Sequence, residues 1–116
     1  MMDITQEPLT WLGEHQFANR YIVSAANRYT TTKGEYLVIP CVRHYSKEHQ
    51  PIIKALRDSG VLTKTVVAGD NQGFVDQYSN YWTREQALVI AEKAGQIGRR
   101  GEKVWPKDLL FSEDLY

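Results

Sequence analysis

The chain reads as an α/β protein of the α+β kind, a single domain in which a small, mostly antiparallel sheet carries two main helices. Three observations predict this. Two runs rich in β-branched and aromatic residues, Arg20 to Ala26 and Glu35 to Val42, are joined by a short turn, which favours antiparallel pairing. Two helix signals follow, one opening near Pro51 and one after Thr83. The length, 116 residues, suffices for one core and is too little for two. A domain of that size buries roughly 65% of the surface its unfolded chain exposes, so it folds without staples.

Taken in order, the first nineteen residues carry Asp3, Glu7 and Glu14 and neither Lys nor Arg, a locally acidic start. Pro8 to Gly13 fits a short helical turn or a loop anchored by Trp11. The first strand is Arg20 to Ala26. Thr30 to Gly34 then turns the chain into the second, Glu35 to Val42. Ser46 to Pro51 opens a helix, since a proline in the first turn gives up no hydrogen bond. Ile52, Ile53, Ala55 and Leu56 supply its apolar stripe, and Ser59-Gly60 stops it. Val61 to Ala68 reads as a third strand and Gly69 to Gly73 as a loop. Phe74 to Asp76 and Tyr81-Trp82 fit two short strands around the four-residue turn Gln77 to Asn80. Thr83 with Gln86 makes a capping box, followed by a helix-period face of Ala87, Leu88, Ile90, Ala91 and Ala94, with Gly95 as the stop. The tail, Leu109 to Tyr116, stays apolar to its last residue and is expected to dock on its own subunit or a partner.

Composition excludes several functions. Fourteen basic residues balance fourteen acidic ones, so the net charge is zero. A protein that coats long nucleic acid needs a basic excess to displace counterions. The single Cys41 excludes an internal disulfide framework and a cysteine-cage zinc site. The longest apolar run, Tyr36 to Val42, is far short of the roughly 18 residues of a membrane span. The first residues lack a signal-peptide pattern, so the expectation is a soluble, intracellular protein without membrane contact. Three Trp and seven Tyr suggest an aromatic core or flat stacking surfaces.

Several residues are candidates for chemistry, each with a plainer alternative. Arg99 and Arg100, flanked by Gly98 and Gly101, can bring guanidinium groups onto phosphate oxygens or a base, or can simply be solvated. The Gly95, Gly98, Gly101 spacing is no phosphate fingerprint, because it follows a helix. Arg43-His44-Tyr45 falls at a strand end, where a sheet positions ligand-binding groups. There His44 can donate to a phosphate, act as a general base, or be structural. His44, Glu48 and His49 lack a third strong ligand nearby, so no metal is expected. Phe74, Tyr78, Tyr81 and Trp82 gather beside the Thr83 cap, fit either to stack a base or to pair across strands. Cys41 reads as core. No nucleophile elbow, Ser/His/Asp arrangement or metalloprotease helix is present. Ser24 to Arg28 resembles the strand-end Asn motif of macrodomains, without their glycine-rich diphosphate loop.

Three larger blocks carry a wider resemblance. They are Ser24 to Tyr29, Val42 to Tyr45, and Gln72 to Asp76 leading through Thr83 to Ala87 into Ala94 to Ile97; the closing Phe111 to Tyr116 belongs with them. Over most of residues 20–116 the chain resembles phage proteins, most of all the Thoeris anti-defence sponge family. Such sponges sequester cyclic ADP-ribose isomers made by bacterial TIR-domain immune proteins, and some hold cyclic oligonucleotides at a second kind of site.

The resemblance implies a non-enzymatic, cofactor-free protein in the cytoplasm of the infected bacterial host. Its homodimers would assemble further into a hexamer, with pockets shared between subunits. The family's stacking aromatic falls on Phe74. Its polar contact before the following helix falls on Thr83 or Arg84, where the family pattern has Asn, and its late arginine on Arg99 or Arg100. Asn27, Arg28, Arg43 and His44 are nominated for the second site. Binding at submicromolar concentration requires about 8 kcal/mol or more, which favours pockets larger than a small monomer offers. Two other readings stay open. One is an enzyme using His44 with Asp70 or Asp76 on a related nucleotide; the other is a phage structural or interaction module.

Overall fold

The computed structural model describes residues 19–98 and 101–116. The expectations for the acidic N-terminus, Trp11, Arg99 and Arg100 therefore lie outside the described residues. Strand β1 (Ile22–Thr30) is central, flanked by β2 (Tyr36–Cys41) and β3 (Gln72–Asp76), and β4 (Tyr81–Thr83) pairs with β3. All three pairings are antiparallel, in the order β2-β1-β3-β4. With helices α1 (His49–Asp58) and α2 (Arg84–Lys93), the fold is α+β, as the two joined runs and two helix signals predict.

The register decides which residues share a face. Ala25 pairs with Cys41 and Phe74, and Phe74 with Trp82. This face takes α2, whose Ala87, Ile90 and Ala91 are fully buried against it together with Leu110 of the tail. Further along the same face, Tyr29, Leu37 and Ile39 pack with Ile53 and Leu62. The opposite face gathers Ala26, Val38, Val75 and Tyr81. Cys41 belongs to the core, and burial pushes its thiol up to about 12. Pro40 lies in β2, an edge strand, where a missing N–H is tolerated.

Two expectations need correction. Val61 to Ala68 forms no strand. The N–H groups of Val61 and Leu62 both return to the Leu56 carbonyl, closing the end of α1 after Gly60 turns at φ 82°. Leu62 is buried for packing, and Val67 is tethered by side chains rather than by a ladder, so the β-branched content here marks burial rather than pairing. In α1 the inward row is His49, Ile53 and Leu56, while Ile52 and Ala55 face solvent.

β1 runs on to Thr30 rather than ending at Ala26, and β3 begins at Gln72, inside the stretch read as a loop. Several local signals hold. Thr83 caps α2, accepting from the Gln86 N–H at 3.3 Å while Gln86 returns to the Thr83 N–H at 3.1 Å. Gly95 ends the helix at φ 71°. The turn after β3 is organised by Asp76, whose carboxylate accepts from the Tyr78 and Asn80 N–H groups and from Trp82 Nε1. Gly73 is required where it stands: a Cβ there would lie 2.1 Å from the Trp82 carbonyl and 2.7 Å from the Tyr81 ring. The tail docks on its own subunit, through Leu110 and through Tyr116, whose hydroxyl donates to Val42 and accepts from Ala25. Among the described residues no helix is long and apolar enough to cross a membrane.

Candidate ligand-binding site

The end of β2, the start of β3, the first turn of α2 and the docked tail meet around a cleft of about 370 Å³. Arg43 and His44 enter from the loop after β2, Gln72 from β3, Arg84 from α2, and Phe111 and Glu113 from the tail. A second hollow of about 310 Å³ adjoins through Gln72, Arg84 and Phe111. Arg84 is therefore the shared centre.

Its guanidinium is held on several sides. Nη1 donates to the Leu110 carbonyl at 2.8 Å, and Nη2 donates to Gln72 Oε1 at 3.1 Å. Nη2 also approaches His44 Nδ1 at 3.2 Å, and the ring of Phe111 lies 4.7 Å from the guanidinium carbon. Burial draws Arg84 below its usual pKa, yet a guanidinium stays protonated across the working range. Fixed on one side and stacked on another, it is a preorganised cation at a cleft wall.

His44 is fixed by its two partners. Arg84 can only donate, so Nδ1 accepts; Nε2 then carries the proton and donates to the Gly73 carbonyl at 2.8 Å. Burial, reinforced by the Arg84 charge, pushes its pKa down to about 4, against the Gly73 hydrogen bond. The imidazole is neutral at pH 7 with both nitrogens occupied. It ties Arg84 to β3, the structural role among the three left open by the sequence, and neither phosphate donation nor general-base work is available in this arrangement.

Arg43 serves the tail. It donates to Ser112 Oγ at 2.9 Å and to the main-chain oxygen of Tyr116 at 2.6 Å, with Glu113 at 3.6 Å. Nearby, Lys103 pairs with the buried Asp114 at 2.9 Å. Within the cleft Arg43 and Arg84 face the Glu113 carboxylate, and the adjoining hollow adds Asp70 and Glu85.

The other nominated residues separate. Phe74 is fully buried beneath the site, its ring edge-on to His44 at 5.4 Å and paired across strands with Trp82. Thr83 is spent on the α2 cap. Asn27 is buried below the loop, donating to the His44 carbonyl at 2.6 Å. Arg28 points to the opposite face of the sheet, between the rings of Tyr36 and Tyr81 at 4.2 and 5.1 Å, with its Nε on Asn71. Asn27, Arg28, Arg43 and His44 thus form no single pocket. Of the aromatic cluster, Tyr81 and Trp82 are core and Tyr78 is exposed.

Four contributors were not singled out from sequence: Gln72, Phe111, Ser112 and Glu113. Phe111 gives the cleft the aromatic surface assigned to Phe74. Its signal was an apolar tail that runs to the last residue. Among the described residues, no three His, Cys, Asp or Glu side chains gather as a metal site.

The family model described as Phage T4 y16D protein matches residues 21–116. No curated protein and no solved structure matches the chain. The match takes in β1 through the docked tail, and hence every described wall of the cleft, and the chain belongs to the phage T4 y16D protein family.

Proposed function

We propose that this phage-family protein binds and sequesters a small anionic nucleotide signal without cleaving it, in the manner of the Thoeris anti-defence sponges it resembles. The ligand class is a cyclic ADP-ribose isomer or a cyclic oligonucleotide. One observation carries the reading: the Arg84 guanidinium is held between the Phe111 ring and His44 Nδ1 at the wall of a cleft. A fixed guanidinium suits a diphosphate oxygen and an aromatic plate suits a base, and retention needs nothing more. Arg99 and Arg100 would add a further cation from their glycine-flanked segment.

Cleavage is the weaker alternative. His44 has no lone pair to spare, and Asp76 is committed to the turn and to Arg20 at 2.9 Å. In this reading a second copy closes the cleft, giving the homodimer and hexamer of the sponge family in the host cytoplasm. The test is to incubate the protein with cyclic ADP-ribose isomers and cyclic oligonucleotides, denature it by heat, and analyse what is released. Intact ligand supports sequestration, a hydrolysed product supports an enzyme, and no retention removes both.

Trp105, 79% exposed, favours a second reading as an interaction module. In that case Trp105→Ser would change assembly, and there would be no nucleotide affinity to lose.

A further inference from the structure

The sheet has two faces, and the helices account for one of them. α1 and α2 pack in the clusters that hold Tyr29 and Phe74. The cluster on the other face, Ala26, Val38, Val75 and Tyr81, is built from strand residues, and each is at most 6% exposed. An antiparallel sheet with nothing over one face leaves that face in water, so this burial needs a cause.

Side chains of the face itself supply part of it. Tyr81 lies over Gly73, its ring 2.7 Å from where a Cβ would stand, and donates to the Asp70 carbonyl at 2.6 Å. Arg28 forms the next layer, stacked on Tyr81 and Tyr36 with its Nε on Asn71. Yet this outer layer is itself only 7% exposed, and Arg28 Nη1 is buried without a hydrogen-bond partner among the described residues. A further layer therefore lies over Arg28. It is narrow, because Pro40 and Thr30, which alternate onto the same face beside Ala26 and Arg28, are exposed. A guanidinium out of water also calls for an anion, and among the described residues no carboxylate pairs with Arg28.

The chain has a segment of the right reach and chemistry. Residues 1–18 precede the described chain, which begins at Asn19 beside the end of β3, where the Asn19 carbonyl accepts from Gln77 Nε2 at 2.7 Å. From Ile22 to Arg28 is about 20 Å along β1. Eighteen residues span about 60 Å when extended and about 27 Å when helical, so either form reaches Arg28. The segment carries Ile4, Leu9, Trp11, Leu12 and Phe17 as apolar surface, and Asp3, Glu7 and Glu14 with no Lys or Arg.

We propose that residues 1–18 fold back over this second face, with their apolar side chains on Val38, Val75 and Tyr81 and one of their carboxylates beside Arg28. The sheet is then the middle layer of three, and the face opposite the helices is occupied by the chain's own N-terminal segment.

The test is NMR of the full chain with labelled Val, Leu and Ile methyl groups. The expected result is nuclear Overhauser contacts from side chains of residues 1–18 to the Val38 and Val75 methyls. Trp11→Ser should shift those two sets of signals, leave Leu37 on the helix face in place, and lower the thermal midpoint by about 5 °C or more. A mixed sample, with methyls labelled on one set of chains and the segment observable only on the other, should show no such contacts. Contacts between chains in that sample would make a second copy the cover and overturn the proposal. So would the absence of any contact from residues 1–18, or Val38 and Val75 signals unmoved by Trp11→Ser. None of these readouts involves a nucleotide, so failure here is distinguishable from failure of the sponge reading.

Discussion

Arg84, the first residue of α2, donates to Nδ1 of His44, 40 positions earlier in the chain, across 3.2 Å, and His44 passes the constraint to β3 through Gly73. The pair joins a helix, a loop and a strand in one hydrogen-bonded chain. It requires His44 to be neutral, because an imidazolium would have no lone pair for Arg84 and would repel it.

Acid should therefore weaken the fold. The His44 pKa falls from 6.5 to about 4 on folding, so its stabilising contribution is full above pH 6.5 and is lost as pH drops towards 4. By linkage this loss is at most about 3 kcal/mol. His49 is lowered by burial as well and adds to the same slope. Urea unfolding at pH 7, 5.5 and 4 should show the decline, shallower in His44→Gln. A pH-independent midpoint over this window would contradict it.

Gly73→Ala should be among the most damaging small substitutions. The added methyl meets the Trp82 carbonyl in the neighbouring strand, which cannot step aside without breaking the β3–β4 ladder. A cost of about 3 kcal/mol or more, or failure to fold, is expected. A thermal midpoint within a few degrees of the parent would show that the ladder yields easily.

Asp76→Asn tests the hairpin. The substitution removes the charge opposite Arg20 and turns an amide donor towards groups that can only donate, the Trp82 Nε1–H among them. We expect a loss of about 3 kcal/mol in denaturant unfolding, as for other buried pairs stripped of one partner. Asp76→Glu should recover little, since the Tyr78 and Asn80 N–H groups fix the carboxylate position.

Arg43→Leu should loosen the tail while leaving the sheet intact. It deletes the hydrogen bonds to Ser112 and Tyr116 and the contact with Glu113. The loss of global stability should be about 1–2 kcal/mol. Limited proteolysis should then cut within 109–116 well before it cuts the sheet, and equal resistance in parent and variant would refute the latch.

Much of the frame was legible because its causes are local. The Thr83–Gln86 capping box, the 77–80 turn and the Gly95 stop each follow from residues within four positions of one another. Val61 to Ala68 misled because Val, Leu and Thr mark burial as readily as strand pairing, and the Leu56 carbonyl had already taken the N–H groups of Val61 and Leu62. Arg84, nominated for the first site, and Arg43 and His44, nominated for a second, instead line one cleft. Phe111 and Gln72 were not nominated, since their places depend on the strand order and on the tail folding back to α2, which no short window records. Arg28 was grouped with Arg43 by type, but the alternation of β1 and the β1–β2 register put it on the other face.

Nucleotide retention in this reading depends on Arg84, and calorimetric titration of the parent chain and Arg84→Ala with cyclic ADP-ribose isomers and cyclic oligonucleotides measures that dependence. At least one ligand should bind the parent at submicromolar concentration and be recovered intact after heating. Loss of a charge-assisted contact of about 1.5–3 kcal/mol should weaken Arg84→Ala by roughly ten- to a hundredfold. Tight binding that survives Arg84→Ala unchanged, or no binding of any of these ligands to the parent, would rule out a nucleotide trap built on Arg84.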